Sequence, residues 1–231
     1  YMTENIENIK GELLNHGYEL IKQIGQGSYS TVFLCRSLKY NDLFSVKRIS
    51  NEKFKEFEIS TLCNLHHPHI IQLYETFNDD EAQYLVMEYC PNGTIKRKNK
   101  LKYDQFIYYS KQILEALSFC HSKLIAHRDI KPDNIFIDKY DRIKLADFGF
   151  AKRFDDNNAS SEHCGSIMYC SPEIVQNQTL FNPFQADVYA LGITFFYMVT
   201  GEAPFPKDSV QILKKSIIFG QIDFTGFDVD E

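Results

Sequence analysis

His127-Arg128-Asp129-Ile130-Lys131-Pro132-Asp133-Asn134 is the stretch whose reading decides the fold. Counted from Asp129, it places a Lys at +2 and an Asn at +5. These residue types suit displacement at phosphorus. A carboxylate takes the proton of, or orients, an attacking hydroxyl; an ammonium neutralises the moving group; an amide oxygen binds Mg²⁺. Asp147-Phe148-Gly149 follows a short hairpin signal and adds a second hard oxygen donor. Mg²⁺ takes oxygen ligands, commonly one or two carboxylates together with phosphates. Ser171-Pro172-Glu173 closes the segment.

Upstream, Gly25-Gln26-Gly27-Ser28-Tyr29-Ser30-Thr31-Val32 has the form G-x-G-x-x-S-x-V. Small residues let backbone amides approach phosphate oxygens. By itself the run describes a glycine-rich hairpin equally well. A dinucleotide-binding fold needs a helix after the turn, whereas a strand pattern follows here. Lys47 lies on the next-but-one strand, fifteen residues after Val32. A lysine inside an apolar strand is costly unless paired, and Glu58 on the following helix is the candidate partner. A surface lysine is the plainer reading of Lys47 alone. The order of the five motifs together is what carries the argument.

Around these motifs the organisation changes once. Tyr18–Ile24, Thr31–Ser37, Leu43–Ile49, Ile70–Phe77 and Tyr84–Glu88 read as strands, and Lys53–Leu65 as a helix with Phe54, Phe57, Leu62 and Leu65 inward. After Pro91-Asn92-Gly93 helices dominate. Asp104–Ser122 is amphipathic, 135–138 and 143–146 form a hairpin, and Phe184–Thr200 is apolar on nearly every face. The expected fold class is α+β: a β-rich lobe with one main helix, a hinge and a helical lobe, with a ligand in the crevice. The expected boundaries are 1–17 as an N-terminal extension, 18–89 as the first lobe and 90–231 as the second.

The 231 residues carry 25 basic and 31 acidic side chains, a net charge of −6. Such a chain is a poor non-specific nucleic-acid binder. The longest apolar stretch, Ala190–Val199, is too short to span a bilayer. No membrane partner is therefore expected. Cys35, Cys63, Cys90, Cys120, Cys164 and Cys170 are scattered, as in a reducing compartment, so a cytoplasmic or nuclear location is expected. His66, His67 and His69 lack an acidic or thiol complement and are not expected to bind metal. Cys164 is expected to be a plain thiol rather than a redox switch.

With these motifs in this order, the chain from Tyr18 onward resembles the eukaryotic protein kinases. Lys131, and Gly165-Ser166 before Ser171-Pro172-Glu173, are similar to the Ser/Thr branch. Asp147 to Arg153 and Cys164-Gly165-Ser166 resemble the calmodulin-dependent and cyclic-nucleotide-dependent groups, most of all the calmodulin-dependent-kinase-like (CAMK) group. The resemblance implies an enzyme that moves the γ-phosphate of Mg-ATP to a protein Ser or Thr. Asp129 would be the catalytic carboxylate, with Lys131 on the γ-phosphate and Asn134 and Asp147 on Mg²⁺. ATP would also meet Gly25, Gln26, Gly27 and Ser28 of the loop, and Lys47 paired with Glu58. Met87 matches the gatekeeper, and Glu88 and Cys90 offer hinge backbone groups to adenine. Val32, Ser45 and Phe136 match the adenine sandwich, with Ser45 in place of Ala and Phe136 in place of Leu. Leu62, Leu73, His127 and Phe148 match a stacked apolar column. Asp187 would anchor the catalytic loop.

For regulation, the resemblance makes Arg128 and Lys152 a basic pocket for an activation-loop phosphate. Glu162 occupies the usual phospho-acceptor position and is read as a partial mimic; Ser160 and Ser161 are alternative acceptors, and Ser166 and Glu173 complete the segment. Basophilic relatives carry a Glu where Thr94 stands here. The run Lys96 to Lys102 carries five positive charges and reads either as a solvated face or as part of the substrate surface. Weakened preference for upstream Arg, tolerance of acidic flanks, and, from Phe150, Ser over Thr acceptors are expected. Alternative readings are a nucleotide-binding scaffold without catalysis, or an inactive fragment. The chain starts at Tyr1 rather than Met. Relatives continue past the position of Glu231 with helices bearing an Arg for Glu173, so the second lobe reads as incomplete. The chain has no Trp, and Tyr189 stands where relatives place one.

Overall fold

Val32-Phe33-Leu34-Cys35 is apolar at every position, so a strand there needs cover on both faces. A computed structural model of the chain describes all residues except 1, 28, 29, 53, 55, 99, 155–165, 179, 207, 221 and 223–231. The chain divides into two compact units, residues 1–66 with 71–91, and residues 67–70 with 92–231.

The first unit contains α1 (Met2–Asn15), β1 (Tyr18–Gln26), β2 (Ser30–Ser37), β3 (Leu43–Ser50), α2 (Glu56–Asn64), β4 (Leu73–Asn78) and β5 (Ala82–Glu88). The five strands form one antiparallel sheet in the order β1-β2-β3-β5-β4. Register sorts the side chains. Val32 pairs with Lys47 and Lys47 with Leu85; Leu34 pairs with Ser45 and Ser45 with Met87. Cross-strand partners share a face, so these six lie together. Phe33, Val46 and Val86, one residue out of phase, share the opposite face.

That opposite face is covered by α1. Ile9 and Leu13 are buried in one cluster with Tyr18, Phe33, Val46 and Tyr84, and Leu13 has no exposed surface. His16 stacks on Phe77 at 3.9 Å between centroids. This helix lies within residues 1–17, the expected N-terminal extension. Its apolar stripe, Ile6-Ile9-Leu13, is too narrow to stand out in a polar stretch, and the sheet face it covers was not visible from the sequence.

Three expectations are corrected. In α2 the inward residues are Glu58, Thr61 and Leu62, followed by Leu65, whereas Phe57 is 37% exposed. The Glu58 ion pair described below sets the rotation of this helix, not the Phe residues. The fourth strand begins at Leu73 rather than Ile70. Residues 67–70 belong to the second unit, where Leu145 N–H donates to His69 O at 2.9 Å and Ile70 bridges Leu145. Finally, Phe184–Thr200 is not buried all round, because Gln185, Val188, Gly192 and Val199 form an exposed stripe.

The second unit holds α3 (Tyr103–Ser122), β6 (Ile125–Ala126), β7 (Ile135–Ile137), β8 (Ile143–Leu145), β9 (Lys152–Arg153), α4 (Pro172–Val175), α5 (Pro183–Thr200) and α6 (Val210–Phe219). β6 pairs with β9 and β7 with β8, both antiparallel. Asn182 caps α5 by accepting from the Phe184 and Gln185 amides, and Gly201 ends it at φ 81°, a conformation glycine adopts without strain. No helix among the described residues is long and apolar enough to cross a membrane.

Candidate active site

The loop from His127 to Asn134 is held from α5. Asp187 is 1% exposed. Its Oδ2 accepts the His127 amide at 2.8 Å and its Oδ1 the Arg128 amide at 2.7 Å. His121, at the end of α3, places Nε2 2.9 Å from the same Oδ2. Arg128 sits at φ 67°, a left-handed conformation unusual for a side-chain-bearing residue. Two short hydrogen bonds to a buried carboxylate offset that strain. The His127 ring meets Phe148 edge-on at 4.7 Å. Its Nδ1 accepts the Asp129 amide at 3.3 Å and its Nε2 lies 3.0 Å from Ala146 O. This pairing assigns the neutral tautomer with the proton on Nε2. Burial, and then the Asp187 charge, push the neighbouring Cys120 thiol up to about 12.

Asp129 is the focus of the loop. Lys131 Nζ donates to its Oδ2 at 2.6 Å and to Ser166 Oγ at 3.2 Å. Asn134 Nδ2 donates to the Asp129 carbonyl at 2.8 Å and to Oδ2 at 2.9 Å. The Ser166 amide donates to Oδ1 at 3.3 Å. Three of the residues singled out in the sequence thus converge on one buried carboxylate. With its nitrogen committed to Asp129, the Asn134 amide turns its oxygen the other way. The Ala146 amide donates to the backbone carbonyl of Asn134 at 2.9 Å, which ties the backbone at Asn134 to the segment carrying Asp147. Asp147 is held at φ 62°. An amide oxygen and a carboxylate on two clamped segments are the hard donor set that Mg²⁺ requires.

In the first unit, Lys47 Nζ and Glu58 Oε1 form a largely buried ion pair at 2.7 Å. Gly27 N–H donates to Ser30 O at 2.7 Å, closing the glycine-rich turn. A Cβ on Gly25 would sit 3.3 Å from Val32 Cβ, so the tight approach of these strands favours glycine there. Val32, Ser45, Lys47 and Met87 lie on one sheet face through the register described above. The Ser45 hydroxyl donates to Glu88 O at 2.9 Å, and Cys90 is buried. Phe136 lies in the second unit, on β7.

Arg128 and Lys152 approach the same ring: Arg128 Cζ lies 6.0 Å and Lys152 Nζ 5.8 Å from the Phe154 centroid. Glu173 lies in α4, where its carbonyl accepts the Gln178 amide at 3.0 Å. Ser28, Ser160, Ser161, Glu162 and Cys164 lie outside the described residues. Two features escaped the sequence reading. One is His121, whose signal is a polar ring one step beyond Cys120 on the buried stripe of α3. The other is an ion pair between Lys96 Nζ and Asp133 Oδ1 at 2.5 Å, joining residues 37 positions apart.

A family model described as protein kinase domain matches residues 18–227. The chain is 34% identical over 226 residues to a cAMP-dependent protein kinase catalytic subunit of Dictyostelium discoideum, covering 92% of this chain and 34% of that protein. It is 31% identical over 229 residues to CBL-interacting serine/threonine-protein kinase 15 of Arabidopsis thaliana, covering 93% and 54%. It is 32% identical over 219 residues to NUAK family SNF1-like kinase 2 of Homo sapiens, covering 90% and 35%. The chain therefore spans between about a third and just over half of the length of these curated relatives. Motif order, loop geometry and family match agree, and the chain belongs to the protein kinase family, with Ser/Thr protein kinases among its relatives.

Proposed function

We propose that this chain is an active ATP-dependent serine/threonine protein kinase. The observation that carries the reading is the convergence of Lys131, Asn134 and Ser166 on Asp129. Asp129 orients the acceptor hydroxyl and receives its proton as the oxygen bonds to the γ-phosphorus and the bond to ADP breaks. Lys131, within reach of Asp129 and Ser166, neutralises the transferring group. Bound Mg²⁺ would supply charge neutralisation at the phosphates, and Asn134 and Asp147 are the residues to hold it. Lys47, fixed by Glu58, takes the α- and β-phosphates, and the amides of residues 25–28 cradle the chain. The same reading assigns adenine recognition to Val32, Ser45, Met87, Glu88 and Cys90 of the first unit and, separately, to Phe136 of the second. The Ser45 hydroxyl, which replaces the Ala methyl of the resemblance, donates to the Glu88 carbonyl and so fixes that edge of the adenine site. Arg128 and Lys152 form the basic pocket, and Glu162 is assigned the role of a partial phosphate mimic. Acceptors are Ser in preference to Thr.

The test is transfer of labelled phosphate from ATP to casein or a Ser/Thr peptide library. Asp129→Asn and Asp147→Ala are expected each to lower the rate by at least about 10²-fold. Equal, trace-level signal in wild type and both variants would reject catalysis in favour of a scaffold.

A further inference from the structure

A carboxylate that belongs to the catalytic loop itself is neutralised. Asp133 lies in the 3₁₀ turn Pro132–Asn134, between Lys131 and Asn134, both of which touch Asp129. Unlike buried Asn134, its side chain is 37% exposed, and an exposed acid this close to the acceptor position would attract basic peptides. Lys96 Nζ instead reaches it at 2.5 Å. The placement of Lys96 is not that of a loose surface chain. Its segment is joined to the strand after the loop: Ile137 N–H donates to Gly93 O at 2.8 Å, Thr94 bridges Phe136, and Asn92 Nδ2 donates to Asp138 O at 2.7 Å. Tyr197 on α5 donates to Lys96 O at 3.2 Å.

Cancelling Asp133 leaves the rest of the ridge uncompensated. Arg97, Lys98, Lys100 and Lys102 follow within six residues of Lys96, and none forms an ion pair with a described residue. The Leu101 amide donates to Met198 O at 2.8 Å, so this ridge is docked against the end of α5. Glu202, just past that end, is the nearby acid from the packed element, and it too makes no ion pair with a described residue. An ion pair this exposed adds little to stability. Its consequence is the sign of the field beside Asp129.

We propose that the Lys96–Asp133 pair is a charge gate for substrate choice: it removes the carboxylate that would hold a basic peptide and leaves a cationic ridge that selects Ser acceptors flanked by acidic residues. This rests on the kinase reading of the same loop. The experiment uses three peptides with one Ser acceptor and Glu, Ala or Arg flanks. It compares kcat/KM for the wild-type chain, Lys96→Ala, Lys96→Arg and Lys96→Ala/Asp133→Asn at low and high NaCl. Wild type is expected to favour the Glu-flanked over the Arg-flanked peptide by about tenfold, and less in high salt. Lys96→Ala is expected to reduce that ratio roughly fivefold by baring Asp133, Lys96→Arg to keep it, and the double variant to recover most of it. A preference for the Arg-flanked peptide, or a ratio unmoved by Lys96→Ala, would overturn the gate. Anisotropy of the same peptides carrying a fluorophore gives the binding ratio without turnover. A chain that fails to transfer phosphate but binds in the expected order would sink the kinase reading and support the ridge; an active chain with the reverse order would do the opposite.

Discussion

At Asp187 one carboxylate serves two backbone amides and an imidazole. Asp187→Asn keeps the shape but turns an amide nitrogen toward one of the donors, leaving a buried N–H without its acceptor. The expected cost is about 2–4 kcal/mol in stability. Because displacement of a catalytic loop by about an ångström costs roughly 10²-fold, kcat is expected to fall by 10- to 100-fold with little change in the KM for ATP. His121→Ala removes only the third partner and is expected to cost less than about tenfold. Urea melts together with steady-state kinetics on both variants would check this, and a larger kcat loss in His121→Ala than in Asp187→Asn would contradict it. The residues of the loop were legible because their chemistry depends on spacing along one segment. The His121 contact was not, since it joins positions 66 apart.

Among the elements, α1 is the part whose role depends most on its neighbours. Its sequence is polar apart from a narrow stripe, and that stripe covers the face of β2, β3 and β5 opposite Lys47. Leu13 is fully buried among aromatic and β-branched side chains. Leu13→Ala is expected to lower stability by about 3 kcal/mol through lost burial and the cavity left behind. Exposed Leu14 on the same helix serves as the control, with Leu14→Ala expected to change stability by less than about 0.5 kcal/mol. Equal urea midpoints for the two variants would show that α1 does not cover the sheet. A similar logic explains α2. Apolar spacing pointed Phe57 inward, but a buried ammonium on β3 needs a carboxylate, and turning Glu58 to Lys47 carries Phe57 outward.

For the whole molecule, the buried acids that stay protonated set its response to alkali. Burial pushes the Cys35 and Cys120 thiols up to about 12 from the ordinary 9.0, and Tyr84 up to about 12 from 10.0, with the Asp79 hydrogen bond second for Tyr84. A folded-state value above the unfolded one means the folded chain holds the proton more tightly. The contribution is therefore complete below about pH 9 and is lost as pH rises toward 12. The Tm is expected to fall steadily between those limits, and less steeply in Cys35→Ala/Cys120→Ala; parallel slopes would exclude the thiols as the cause. Charge shows a comparable division of scale. The chain is acidic in sum, yet the run Lys96 to Lys102 carries five positive charges, and its first member pairs with Asp133 of the loop that holds Asp129. The spacing of Asp129, Lys131, Asn134 and Asp147, the glycine turn and the alternation of strands and helices were determined by the sequence by itself, because each is local and follows from reach along a few residues. The covering of the sheet by α1, the rotation of α2, the Asp187 clamp and the neutralisation of Asp133 by Lys96 were decided only by tertiary structure, because each joins groups distant in the chain whose pairing depends on how the elements pack.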